Sequence, residues 1–183
     1  MLGQSFKFRY ISKHAYRLAQ LIYSNQKILR YLNYLTDDPL ADKTIGRNGE
    51  VIEQPDILLP FEKSGIDLDG YDRALITETQ CRMFIYPSKA KLKAETNAGK
   101  ITYIIDIITP NGFKLLKGSN EYRDALIADE ISRMIDGHRV TGFGDVEITS
   151  FAAGKLQEGR FNYFTLYVEV GNLTIKDWLT IDD

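Results

Sequence analysis

A chain of 183 residues, 44% hydrophobic and 26% charged, with five prolines and fourteen glycines, has the composition of one ordered globular domain over 1–183. That composition excludes a disordered, collagenous or multidomain chain, and at this length roughly 65–75% of the unfolded surface can be buried without a covalent staple. A net charge of −2 argues against a nucleic-acid coat, and the single cysteine, Cys81, excludes an internal disulfide and a multi-cysteine metal site.

No stretch approaches the ~18 apolar residues of a membrane span, and no signal-peptide core follows the basic N-terminal residues. The expectation is therefore a protein made in a reducing cytoplasm, with no membrane partner.

From residue 10 to 35 the apolar residues Ile11, Leu18, Leu21, Ile22, Ile28, Leu29 and Leu32 recur at three- and four-residue intervals, which predicts one amphipathic helix. Asp38 before Pro39 stops it, because proline disfavours helix in the residue it follows. Residues 36–79, with Pro39, Pro55 and Pro60, read as a long irregular excursion. Residues 80–86 form a β-branched and aromatic strand ended by Pro87, and 101–109 a second ended by Pro110, with a lysine-rich connector between them. Gly118 and Ser119 offer an N-cap for a second helix carrying Tyr122, Leu126, Ile127, Ile131, Met134 and Ile135, closed by Asp136 and Gly137. Alternation predicts strands over 146–151 and 161–170, joined by a hairpin turn between Gly154 and Gly159, with a tail from 171 to 183. Segregated elements of this kind predict an α+β fold: a mixed or antiparallel sheet of about four or more strands against two main helices.

Catalytic patterns are sparse. Asp67, Asp69 and Asp72 around Gly70 suggest a calcium loop, but aligning Gly70 with that loop's glycine puts Gly65 and Ile76 where ligands belong. His14 and His138 have no partner motif, and Cys81 lies in a strand with nothing to activate a thiolate. Gly142, Phe143 and Gly144, and the Gly154-Lys155 pair, lack the spacing of phosphate cradles. Asp37, Asp38 and Asp42 read as turn carboxylates. No catalytic residue, metal or cofactor is expected.

The first helix is unusual on its other side. A wheel at about 100° per residue gathers Tyr16, Gln20, Tyr23, Lys27, Arg30, Tyr31 and Tyr34 opposite the apolar arc, and tyrosine and arginine are enriched in interfaces. Tyr16, Tyr23, Lys27, Arg30, Tyr31 and Tyr34 are thus candidate subunit or partner contacts, the alternative being that the rings cover neighbouring apolar surface with their hydroxyls in water. Before Asp37 the chain has six basic and no acidic residues, so this segment is +6 and the remainder −8, which suits head-to-tail contact between copies or a surface facing nucleic acid. Lys89, Lys91, Lys93 and Lys100 form a basic loop facing a lumen, a nucleic acid or another partner, or guarding a strand edge.

The layout resembles the neck proteins of tailed bacteriophages, above all the tail terminator or tail completion family. The likeness is carried by YLTDDPL at 34–40, QPDILLP at 54–60, the strands before Pro87 and Pro110, Arg123 with IADEI at 127–131, and GFGDV at 142–146. It implies a virion protein without catalysis: a homo-oligomeric ring, commonly a hexamer, that ends tail-tube growth and docks beneath the head connector or stopper. It further implies contacts with the tube and sheath, and DNA passing through the lumen. A head-tail stopper, a baseplate component, or a ligand-binding α+β domain using 67–72 and Glu78 are the alternatives.

Overall fold

The computed structural model describes residues 9–46, 48–70, 72–93, 98–137 and 145–173. His138, Gly142, Phe143, Gly144 and the tail from 174 lie outside them.

The predicted first helix is two, α1 (Arg9–Tyr23) and α2 (Gln26–Asn33). Asn25 breaks the run: its backbone is extended (φ −93°, ψ 107°) and its Oδ1 accepts from the amides of Lys27 at 2.9 Å and Ile28 at 3.4 Å. A short amide side chain that offers the backbone a local partner favours a cap over helix continuation. The apolar period spans the break because Leu18 and Ile22 of α1 and Ile28, Leu29 and Leu32 of α2 enter one core.

The excursion after α2 is not wholly irregular. A small antiparallel hairpin, β1 (Lys43–Ile45) with β2 (Val51–Glu53), projects from it. Next come a 3-10 turn at Phe61–Lys63, β3 (Ile66–Asp67) and a second 3-10 turn at Arg73–Leu75. Two long strands follow, β4 (Arg82–Lys93) and β5 (Ala98–Pro110). Pro87 does not end β4; it sits inside the strand beside a register shift between Pro87 and Lys89, the bulge an edge proline requires. The lysine-rich connector is accordingly a continuation of both strands, with Lys89 opposite Thr102 and Lys91 opposite Lys100.

Gly118 and Ser119 belong to the turn of a tiny hairpin, β6 (Leu115–Leu116) with β7 (Glu121–Tyr122), where Asn120 adopts φ 58°. The second predicted helix therefore starts later, as α3 (Arg123–Ile135), with no side-chain cap and Asp124 in its first turn. The last pair is β8 (Asp145–Leu156) and β9 (Phe161–Leu173). Their turn falls within the expected 154–159 segment, at Gln157–Gly159, on positive-φ residues Gln157, Glu158 and Gly159. Gly154 lies within β8, where a Cβ would come 2.7–2.9 Å from the Tyr163 ring.

The main sheet is five-stranded and mixed, in the order β3-β4-β5-β9-β8, with β3 parallel to β4 and the other pairings antiparallel. The α+β expectation is borne out, with the sheet packed against helices. One face carries Met83, Ile85, Tyr103, Ile105, Ile107, Leu166 and Val168 into a single core with the three helices. Alternate residues face the other way, where Phe84, Ile108 and Phe161 form a second, small cluster. Fully buried Arg123 ties α2 to α3, donating to the carbonyls of Phe113 (2.9 Å), Tyr31 (3.0 Å), Tyr34 (2.7 Å) and Thr36.

Candidate interaction surfaces

Residues 54–61 cross the tyrosine arc as a strap. Tyr23 donates to Leu59 O at 2.6 Å and Tyr34 to Pro55 O at 2.7 Å, while Phe61 meets the rings of Tyr16 and Tyr23 edge-on. Arg30, 8% exposed, donates to the carbonyls of Pro39 (3.0 Å) and Ala41, and Tyr31, 6% exposed, belongs to the core. The strap is knotted by buried Gln54, which donates to Asp38 O and Ala41 O and accepts from Thr36 Oγ1. The structure thus brings the predicted arc together, largely against the chain's own loop. Tyr16, 44% exposed, and Lys27, paired with Glu130 at 3.3 Å, keep the outward share. A helix wheel counts neighbours along the helix, so a loop returning from twenty or more residues away is invisible to it.

Lys89 and Lys91 are exposed at the outer edge of the sheet, on β4. Lys93 is the last residue of that strand, and Lys100, across from Lys91, bonds Glu169 of β9. The Glu169 carboxylate raises the Lys100 ammonium's pKa, first by the hydrogen bond and then by its charge. The predicted basic loop is thus a hairpin arm in which Glu169 neutralises Lys100.

The face of the sheet turned away from the helices was not anticipated. Among the described residues no helix packs on it; Ile76 shields only the end formed by Phe84, Ile108 and Phe161. Half-buried Tyr86 and Tyr163 pack against that cluster, and Ile104, Asp106 and Tyr167, also half-buried, continue the face. Tyr86 donates to Asp106 Oδ2 at 2.7 Å and Thr165 to Asp106 Oδ1, so the carboxylate holds one ring and one hydroxyl in place. Burial, then the bond to Asp106, pushes the Tyr86 hydroxyl's pKa well up, which keeps it a donor. A signal existed: the alternate positions 104, 163 and 167 are apolar or aromatic where a solvated face carries charge. On the helix side, beyond the helices, Phe151 is 67% exposed and stacks on Phe164 at 5.3 Å. The β1-β2 arm ends in a second exposed apolar pair, Ile45 opposite Val51.

The YomW family matches residues 25–170. This chain belongs to the YomW family. The family is phage-derived and SPBeta-like. Its match opens at Asn25, the residue that separates α1 from α2, and closes at Val170 in β9, so it spans the strap, α3 and the main sheet. No curated protein matches the chain.

In this YomW-family chain the carboxylates that suggested a metal loop are dispersed. Asp67 pairs with Arg82 at 3.4 Å, Asp72 caps the amide of Ala74 at 2.8 Å, and Glu78 pairs with Arg160. Burial raises the Asp67 pKa, and Arg82 opposes that rise. Asp37 pairs with Lys117 at 3.4 Å, Asp42 lies 3.7 Å from Arg30, and Asp38 caps Ala41. Asp37 and Asp38 also line a cleft of about 350 Å³ together with Tyr31, Leu116 and Glu121. Among the described residues no three His, Cys, Asp or Glu side chains gather as a metal would need. His14 and Cys81 are buried, and burial pushes the Cys81 thiol up to about 11, far from a reactive thiolate at neutral pH. Nor is any helix among the described residues long and apolar enough to cross a membrane.

Proposed function

We propose that this protein is a structural component of a phage virion, a tail terminator-like subunit of a homo-oligomeric ring, commonly a hexamer, that ends tail-tube growth and joins the tail to the head connector. The observation that carries the reading is that, among the described residues, helices cover one face of the sheet only, while the other presents Tyr86, Tyr163 and Tyr167, with Tyr86 fixed by Asp106. Membership of a phage-derived family supports it. Surfaces of this kind act by contact: tyrosine rings offer a large contact area with few rotatable bonds and so lose little entropy on docking. The tube, a sheath and the connector or stopper are its proposed partners. Lys89, Lys91 and Lys93 supply the positive charge that a lumen passing DNA or an acidic neighbour would meet, Lys100 being paired with Glu169. Sedimentation velocity and negative-stain microscopy over a concentration series test the reading. Rings are expected as concentration rises; a compact monomer at every concentration would sink it.

A further inference from the structure

We infer that copies of this chain join head to tail across the hairpin end of the five-stranded sheet, where β4 runs past its pairing with β3 and becomes the outermost strand: that stretch of β4 in one copy meets the β8 edge of the next. The inference rests on the ring reading above and names its seam.

The pairings define a row across the sheet: Lys89 on β4 lies opposite Thr102 on β5, Thr102 opposite Glu169 on β9, and Glu169 opposite Glu147 on β8. Two residues nearer the hairpin end, Lys91 on β4 and Asp145 on β8 extend the contrast. At this end the sheet is therefore positive along one edge and negative along the other, with all four side chains exposed. Three strand spacings, about 14 Å, separate Lys89 from Glu147 within one chain. That exceeds the screening length of ~8 Å at physiological salt. The pair is too distant to neutralise itself and level enough to meet in a neighbour.

Strand polarity agrees. The alternating antiparallel pairings run β4 opposite in direction to β8, so a copy shifted sideways without turning over sets its β4 antiparallel to the first copy's β8, with both sets of helices on the same side. Such a contact uses two different patches, repeats, and closes into a ring when the rotation per copy divides a full turn. Contact of this end of either edge with itself would set lysine against lysine or carboxylate against carboxylate, which selects against a two-fold dimer.

Neither edge invites indiscriminate strand addition. Pro87, its bulge and the lysines blunt β4, while the end of α3 covers the start of the β8 edge, Gly137 N donating to Val146 O at 3.0 Å and Ile148 N to Asp136 Oδ1 at 2.9 Å. Side chains therefore specify the seam. This places Lys89 and Lys91 between copies and leaves Lys100 paired with Glu169.

The full chain carrying Lys89→Glu, Glu147→Lys, or both, tests this by sedimentation, with thermal melts confirming that each variant folds. Each single variant should need at least about tenfold more protein to assemble, and the double variant should recover wild-type assembly. A chain with Lys89→Cys and Glu147→Cys, its native Cys81 buried, should give on oxidation a ladder of covalent multimers beyond the dimer. Single variants that assemble like the wild type, a double variant that fails to recover, or oxidation that yields no ladder would overturn the seam while wild-type rings keep the ring reading standing. A wild-type chain that stays monomeric would overturn both.

Discussion

Arg123 is a cation held where water does not reach, with four main-chain carbonyls as its acceptors. A planar guanidinium can serve several acceptors at once, whereas a lysine ammonium in the same space cannot. Replacing Arg123 by Met leaves the carbonyls of Tyr31 and Tyr34 without this donor at the end of α2, and the expected loss is about 3 kcal/mol or more. Arg123→Lys should recover only part of it. Urea denaturation of the three proteins checks this; equal midpoints for Met and wild type would show that the clamp contributes nothing. Little of this was legible in the sequence, since an arginine next to an aspartate at a helix start reads as surface charge. Tyr31 and Arg30 were placed on an outer arc for the same reason: polarity was taken as exposure, while both find partners in the loop and core that cover them.

Among the elements, those set by local physics were legible: the β-branched runs around 80–86 and 101–109, the alternation at 146–151 and 161–170, and the apolar period of α3. Their limits were not, because each limit is decided by a neighbour. Pro87 is tolerated because β4 is an edge there, and Asn25 divides a helix whose apolar period continues through it. Gly154 suggested a turn, yet its use is spatial: the Tyr163 ring occupies the room a side chain would take. Gly154→Val should therefore displace that ring and cost about 1–3 kcal/mol, whereas Gly154→Val combined with Tyr163→Ala should recover part of the loss. Thermal denaturation of the single and double variants separates this from a turn defect, which removing Tyr163 would not relieve.

For the molecule as a whole, the strap over 54–61 decides how much of the tyrosine arc a partner can reach. Tyr23→Phe with Tyr34→Phe removes the two side-chain hydrogen bonds to its carbonyls, worth about 1–3 kcal/mol together. Chymotryptic cleavage near Leu58, itself 90% exposed, should then accelerate by about tenfold. An unchanged rate would mean that Gln54 and Phe61 alone hold the strap. The candidate surfaces were half legible: composition singled out the tyrosines and lysines, but the open sheet face needs strand order, which no local pattern carries. That order also sets a timetable for synthesis. β9, third in line from β4, is the last described strand to leave the ribosome, yet it separates β5 from β8 and carries Leu166, Val168 and Val170 beneath the helices. The helices and the first strands must wait, with apolar surface uncovered, until that final strand arrives and the sheet closes in one late step.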